Sequence, residues 1–599
     1  MRNLEELKAT IIESHKDDLQ QQDVIFAPEP RILVEAPAGY GKTHTMISKI
    51  AYILASGQIS GYKKILALTF SINAAHKIRK DVEEKLPNLL ENVRTGSKNK
   101  IVAKNYHGFC INILQKYGYL LHESLREVEK LEKIDITLRN FRNYVNITSY
   151  DNLQNCILKF DNEVKFYFDN QDSSKVRRAR FSNLLNNYNH LIINQFLPKG
   201  KITYNSIISL TIELFTKYPN IKNFYSKYFP FIIVDEYQDT NILNFRLLNS
   251  IITDSSKLLF MGDSMQRIYG FIGAIPDLLP VSAKYYSMKL IELEKNYRFA
   301  DSPLLLEIDS FLRKKYKNFE YTANIEGIEN IIIEATKQEE ESEKIIELLS
   351  TINKEEKTVI LFKQRGQNAN FTINSLDQNN IKYFYAIFSE EDRDYLNFHE
   401  VALSLYLEVR ENKKYKTYID KKNYILKKLR ENFQDEIKNN LVISSLYKLI
   451  KVFFNQTQSH ADRQERYEII LEVLKNNTLK HYLNSVKENL ILSTIHGAKG
   501  LEWDNVILPD VEAKTSCWAL CSAPCDSRNN ATCVINPDQL KDRKFKKILL
   551  EELSTFYVGI TRAKKNIYFT YSNYSYDNFG NYLNSGASCL LKMLFNEDI

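Results

Sequence analysis

The apolar positions of the chain fall into short unbroken runs. Each run is followed by a loop of small residues and then by a segment with helical spacing. Ile32, Leu33 and Val34 lead into the loop APAGYG and a helix opening at Lys42 and Thr43. Ile65 to Phe70 lead into a second such turn and helix, and IVAKNYHGFCINIL repeats the plan from Ile101. The pattern returns in FPFIIVDEYQDT at 229–240 and in KLLFMGD from Lys257. Apolar runs of strand length alternating with helical periodicity predict parallel strands buried on both faces, an α/β fold. Between 118 and 200, and again between 401 and 486, the chain reads instead as charged helices carrying many aromatics. These are predicted helical insertions, the second one short. The sheet-forming segments are then 1–117 with 201–280, and 281–400 with 487–599.

A length of 599 residues allows three to five domains or subdomains at roughly 150 residues each. Hydrophobic content of 44% with 26% charged residues is that of an ordinary globular protein, and a net charge of +7 permits nucleic acid without demanding it. The N-terminal MRNLEELKATIIESHKDDLQ is charged and amphipathic and lacks the apolar core of a signal peptide. No stretch of 18 apolar residues occurs, so a cytoplasmic protein with no membrane span is expected.

Candidate chemistry concentrates at the strand ends. A strand, a loop with Ala38, Gly39 and Gly41, and a helix beginning Lys42-Thr43 form the layout of a phosphate-binding loop. There the helix N-terminus and loop N–H groups meet a polyphosphate, Lys42 reaches the β- and γ-phosphates, and the Thr43 hydroxyl holds Mg²⁺. The strict pattern has Gly where this chain has Ala36. The strand before Asp235-Glu236 fits the second half of such a site. Asp235 would hold Mg²⁺ through water, and Glu236 would orient and deprotonate the attacking water. Gln266 lies a short reach beyond the next strand, where its amide can contact the γ-phosphate. Tyr269 and Phe271 sit in the following loop, where bases can stack or where the rings can pack into a core. Gln20, Gln21 and Gln22 precede Lys42 by about twenty residues, the place for an amide that reads an adenine edge or simply for a polar helix end.

The ordered set APAGYGKT, LTFSINAA, NYHGF, VDEYQDT, GDSMQRIYGFIGA, LEKNYRF, STIHGAKGLEW and YVGITRA resembles the UvrD/Rep branch of the superfamily-one DNA helicases. The resemblance spans residues from about 20 to 570. It implies two RecA-like P-loop NTPase domains, each a parallel sheet flanked by helices and interrupted by a helical insertion, closing and opening around ATP. It implies an ATP-driven motor moving 3′-to-5′ on single-stranded or partly duplex DNA. It places Gln21 on adenine, Tyr297 against the adenine face, Arg298 on the γ-phosphate, Glu502 on the ribose and Arg562 as an arginine finger. It turns Thr69, Phe70, Tyr106, His107, Tyr269, Phe271, Thr494 and His496 toward DNA. Such motors serve repair, recombination, plasmid replication and phage defence. TFSINAA stands where the family usually has TFTNKAA, Arg267 replaces a usual Ser, and Phe271-Ile272 replace Trp-Arg. These departures fall on the DNA track and not on the ATP site. Together with the small second insertion, they leave room for a different reading: an ATP-gated DNA-end sensor or loading subunit acting through a partner nuclease or another protein subunit.

Four of the seven cysteines, Cys517, Cys521, Cys525 and Cys533, crowd into one loop between the last two motifs. Four thiolates suit tetrahedral Zn²⁺ or an iron–sulfur cluster, although the spacing is not a CxxC pair. The resemblance does not supply this element, and small buried cysteines in a loop are the alternative.

Overall fold

The computed structural model describes residues 4–595 apart from 71, 91–97, 135–149, 169–172, 271–272, 389–391, 413, 459–462, 476, 514, 516, 522–524, 526–534, 536 and 577–581. The chain divides into two compact units, Met1–Tyr297 and Arg298–Ile599.

The first unit contains strands β1 (Arg31–Glu35), β2 (Ile65–Thr69), β3 (Ile101–Asn105), β4 (Glu132–Ile134), β5 (Lys201–Thr203), β6 (Phe231–Val234), β7 (Lys257–Gly262) and β8 (Lys289–Glu292). β4 and β5 pair with each other alone. The other six form one parallel sheet in the order β3-β2-β6-β7-β1-β8. Successive side chains of a strand point to opposite faces, and here both faces are buried. Leu33, Leu66, Leu68, Ile232 and Leu258 enter one hydrophobic cluster, and Ile32, Val34, Ile65, Ala67, Ile233 and Leu259 enter another. The second cluster is closed by α1 (Leu4–Ser14), α2 (Leu19–Phe26) and α3 (Lys42–Ala55), through Leu7, Ile11, Val24, Ile25, Met46 and Ile50. The first cluster runs on into the predicted insertion, whose helices Tyr150–Phe166 and Ser174–Leu191 contribute Phe160, Phe181 and Tyr188. Glu163 and Arg180 pair between those helices at 2.9 Å, which commits Arg180 to the insertion's own fold.

The expected boundary at 280 falls inside this unit. β8 pairs with β1 from Ile32↔Lys289 to Glu35↔Glu292, so backbone hydrogen bonding extends the first sheet beyond it, and the unit ends at Tyr297.

The second unit holds β9 (Ile332–Lys337), β10 (Thr358–Phe362), β11 (Phe384–Ala386), β12 (Leu490–Thr494), β13 (Trp503–Leu508), β14 (Ala563–Tyr576) and β15 (Tyr582–Asn584). The sheet order is β11-β12-β10-β13-β14-β15, with β9 also paired to the long β14, and only the β14–β15 pairing is antiparallel. Helices Arg393–Glu411, Tyr418–Asn432, Leu441–Thr457 and Arg463–Lys475 lie between β11 and β12, where the short insertion is expected. Both sheets thus have the parallel, helix-flanked build that the apolar runs predict. Among the described residues, no helix is long and apolar enough to cross a membrane.

Candidate active site

β1 delivers the chain into a loop whose Gly39 and Gly41 have φ of 85° and 77°, the left-handed region that glycine enters at no steric cost. Gly41 occupies the N-cap of α3 with no side-chain cap, so the first-turn N–H groups of that helix are left for an anion. Lys42, the first helical residue, donates to the Glu236 carboxylate and lies 3.3 Å from Asp235 Oδ1. Both carboxylates follow the end of β6, and Glu236 itself is left-handed at φ 51°. Burial pulls the Lys42 ammonium down, but Asp235, Glu236 and Asp263 outweigh it and hold the pKa above its ordinary value. Lys42 therefore stays a cation throughout the physiological range. Asp235 Oδ1 is buried and accepts no hydrogen bond. One lysine against two carboxylates leaves net negative charge, which is costly in a buried site unless something pairs with it. An oxygen-seeking divalent ion fits these carboxylates in charge and donor type, and Asp235 with the hydroxyl of Thr43, the residue after Lys42, would hold it.

A chain of amide contacts ties these groups to the next strand. Gln238 Nε2 donates to Glu236 Oε2 at 2.6 Å, and Gln238 Oε1 accepts from the Asp263 N–H at 3.0 Å. Gln266 Nε2 donates to Asp263 Oδ2 at 2.6 Å, and the Met265 N–H donates to Asp263 Oδ1 at 3.1 Å. Gln238 carries none of the roles read from the sequence. Its only signal there was its place two residues beyond Glu236.

The base side of the loop assembles around α2. Gln21 Nε2 donates to the Tyr40 carbonyl at 3.2 Å, and the amide presses on Gly41, where a Cβ would lie 2.3 Å from Gln21 Nε2. His15 Nδ1 is hydrogen-bonded to Gln21 Oε1, and His15 Nε2 to Ser48 Oγ at 2.9 Å. Asp18 caps α2 by accepting from the Gln21 N–H at 2.8 Å and accepts from the Tyr297 hydroxyl at 2.9 Å. The Tyr297 N–H donates to the Gly39 carbonyl at 2.8 Å, while 43% of the residue stays exposed, as a stacking surface requires. Ala38 is at the edge of burial within the same loop. His15 and Asp18 were not legible as site residues, because only the packing of α2 on α3 brings them to the loop.

In the second unit, Arg298, Glu502 and Arg562 converge on one turn. Arg298 pairs with Glu502 and donates to the Thr561 carbonyl. Arg562 donates to Val558 O at 3.0 Å, Leu501 O at 3.2 Å and Thr561 Oγ1 at 3.0 Å, and is only 3% exposed. Three residues far apart in sequence thus form one charged group.

Residues 17–286 match the UvrD/REP helicase N-terminal domain, and residues 387–574 match the UvrD-like helicase C-terminal domain. The chain belongs to the UvrD/Rep helicase family. It is similar to the ATP-dependent DNA helicase PcrA of Staphylococcus aureus strain Mu50, 27% identical over 347 residues, covering 55% of this chain and 44% of that protein. The PcrA of Staphylococcus epidermidis strain ATCC 12228 is likewise 27% identical over 345 residues, with the same coverage. The chain therefore aligns with less than half the length of these curated relatives.

The DNA-facing residues expected of a UvrD/Rep helicase divide by burial. Phe70 and Tyr269 are part-exposed and stack with centroids 5.0 Å apart. Thr494 and His496 are part-exposed at the end of β12 and in the turn after it, and Thr494 Oγ1 accepts from the Gly497 N–H at 3.1 Å. Thr69 and Tyr106 depart from the expectation. The Thr69 side chain is wholly buried, and Tyr106 is 2% exposed with its hydroxyl 3.4 Å from Thr240 Oγ1. Strand β2 and the helix after β3 turn these two side chains into the core. His107 is part-buried, its Nε2 has no hydrogen-bond partner, and its ring meets Tyr204 edge-on. Phe271 lies outside the described residues.

Cys517, Cys521 and Cys525 are buried and unoxidised, while Cys533 lies outside the described residues. Among the described residues, the Cys517 thiol lies 3.8 Å from that of Cys589, from the far end of the unit.

Proposed function

We propose that the protein hydrolyses ATP to move 3′-to-5′ along single-stranded DNA and to unwind duplex DNA, in repair, recombination or phage defence. The observation that carries this reading is the continuous set Lys42, Asp235, Glu236, Gln238, Asp263 and Gln266, built on a glycine loop at a helix N-terminus. Lys42 here pairs with both carboxylates and offsets part of their charge. A polyphosphate in the loop competes for the same ammonium, while the bond from Gln238 to Glu236 remains. The base is in this way released when phosphate is present. Mg²⁺ on Thr43 and Asp235 would polarise the phosphate oxygens and offset their charge. Gln266 orients the terminal group. Arg298 and Arg562 carry the positive charge that phosphoryl transfer needs. Gln21 and Tyr297 suit the two faces of adenine recognition, edge and ring. Phe70 and Tyr269 offer a stacking platform for bases.

A second reading, an ATP-gated DNA-end sensor serving a partner nuclease, draws on the altered track. Arg267, where Ser is usual, donates to the Ala274 carbonyl at 3.1 Å and braces its own loop. ATP hydrolysis measured against single-stranded DNA of increasing length, beside Lys42→Ala, separates the two. A translocase shows stimulation that grows with length and vanishes in the variant. Stimulation that saturates on short ends supports the sensor, and length-independent hydrolysis refutes the motor.

A further inference from the structure

The carboxyl ends of β11 and β12 lie side by side, with Ala386 opposite Ser493. Such strand ends are where open parallel sheets bind their ligands. One buried cation bridges them. Lys480 is 9% exposed, and its ammonium donates at 2.8 Å to the carbonyl of Phe388, two residues beyond β11. The Phe388 ring centroid lies 5.6 Å from the same nitrogen. On its other side is the turn after β12. A Cβ at Gly497 would stand 2.9 Å from Lys480 Nζ, 3.0 Å from Lys480 Cε and 3.1 Å from Thr494 Oγ1. The tip of Lys480 therefore takes the space that a side chain at 497 would fill, against the turn that carries Thr494 and His496.

The backbone of Lys480 is held by the second insertion. Lys480 lies in the short helix Leu479–Ser485, which follows the insertion's last long helix. From the helix Arg393–Glu411, the Tyr395 hydroxyl accepts from the Lys480 N–H at 3.3 Å and donates to the Asn477 carbonyl. His399 Nε2 accepts from the Leu479 N–H at 3.4 Å, because the His399 Nδ1 proton is spent on the Tyr395 carbonyl at 2.8 Å. Burying an ammonium is costly, and an apolar side chain of similar length would fill this space at less cost. What the charge adds is a directed bond to the end of β11, which fixes the tip against Gly497. We propose that Lys480 is a positioning residue for single-stranded DNA, linking the second insertion to the turn that carries Thr494 and His496. This rests on the DNA-binding part of the reading above.

The test is ATP hydrolysis by the full chain, titrated with oligothymidylate, for Lys480→Ala, Gly497→Ala and the double variant. Lys480→Ala is expected to raise the half-saturating DNA concentration about tenfold, while kcat at saturating DNA changes by less than about twofold. A variant that is merely less stable loses kcat with its active fraction and keeps its half-saturation. Gly497→Ala is expected to raise half-saturation likewise, because its methyl displaces the ammonium. In the double variant that methyl has room, so the two effects combine to less than their product. Should Lys480→Ala fail to fold, Lys480→Met keeps the buried stem and removes only the ammonium, with the same rise expected. Unchanged half-saturation in the folded Lys480 variant, or fully multiplicative effects in the double variant, overturns the proposal and leaves the motor reading standing. So does a salt dependence of DNA binding that becomes shallower by about one charge in the Lys480 variant, which would make Lys480 itself a phosphate contact. A wild-type chain that neither binds DNA nor is stimulated by it overturns the underlying reading as well.

Discussion

Gln238 shows how much a single side chain can decide at this site. It is 1% exposed and spends both ends of its amide, one on Glu236 and one on the Asp263 N–H. Alanine there leaves a buried N–H unsatisfied, at a cost of about 1–3 kcal/mol, and lets the Glu236 carboxylate swing. Misplacing a catalytic group by an ångström costs on the order of 100-fold. Gln238→Ala is therefore expected to lower kcat for ATP by about 10- to 100-fold with KM little changed, because Gln238 holds Glu236, the proposed base, and not the phosphates. Steady-state kinetics with a saturating DNA cofactor checks this, and a rise in KM at constant kcat would contradict it. The phosphate loop and the Asp235-Glu236 pair were legible because each is a compact local pattern. Gln238 was not, since its role depends on Asp263, twenty-five residues on and one strand over.

At the scale of elements, the contact between the first insertion and the loop after β7 stands out. Gly273 has φ of 92°, and a Cβ there would lie 2.5 Å from the Val164 carbonyl and 2.9 Å from Lys165 Cα, on the helix Tyr150–Phe166. The same turn follows Gln266 and Tyr269. Gly273→Ala pays about 1–2 kcal/mol for the left-handed backbone and must also push the helix away. Loss of stability of at least that size in urea unfolding, followed by a probe in the first unit, is the expected outcome. A neutral result would mean that the insertion is not packed on this turn. The insertion itself was legible as helices from its periodicity. That its Phe160 and Phe181 share the core of the first sheet was not, because periodicity marks an apolar face without naming what covers it.

For the molecule as a whole, acid sensitivity is expected to concentrate in the first unit. His44 and His107 both have pKa values lowered to about 4, burial being the main cause, with His15 and Lys133 respectively adding positive charge nearby. The unfolded chain takes up these protons near pH 6.5. Between pH 6.5 and about 4 the unfolded state thus binds more protons, so this contribution is complete above 6.5 and is lost as pH falls through the window. Calorimetry should show the transition of the first unit moving to lower temperature over that range, and His44→Asn with His107→Asn should flatten the slope. An identical slope in the double variant would assign the acid sensitivity to the carboxylates instead.

The sequence by itself determined the two parallel sheets, their helical insertions, the phosphate loop and the order of the motifs, because each is written in contiguous residues whose periodicity or spacing has one local solution. Tertiary structure alone decided that β8 completes the first sheet, that Thr69 and Tyr106 point inward, that His15 and Asp18 hold Gln21 and Tyr297, and that Cys589 meets Cys517. Each of these depends on which strand pairs with which and on which helix covers which face. Those are contacts between distant residues, set by the packing of whole elements and not by the local pattern of either partner.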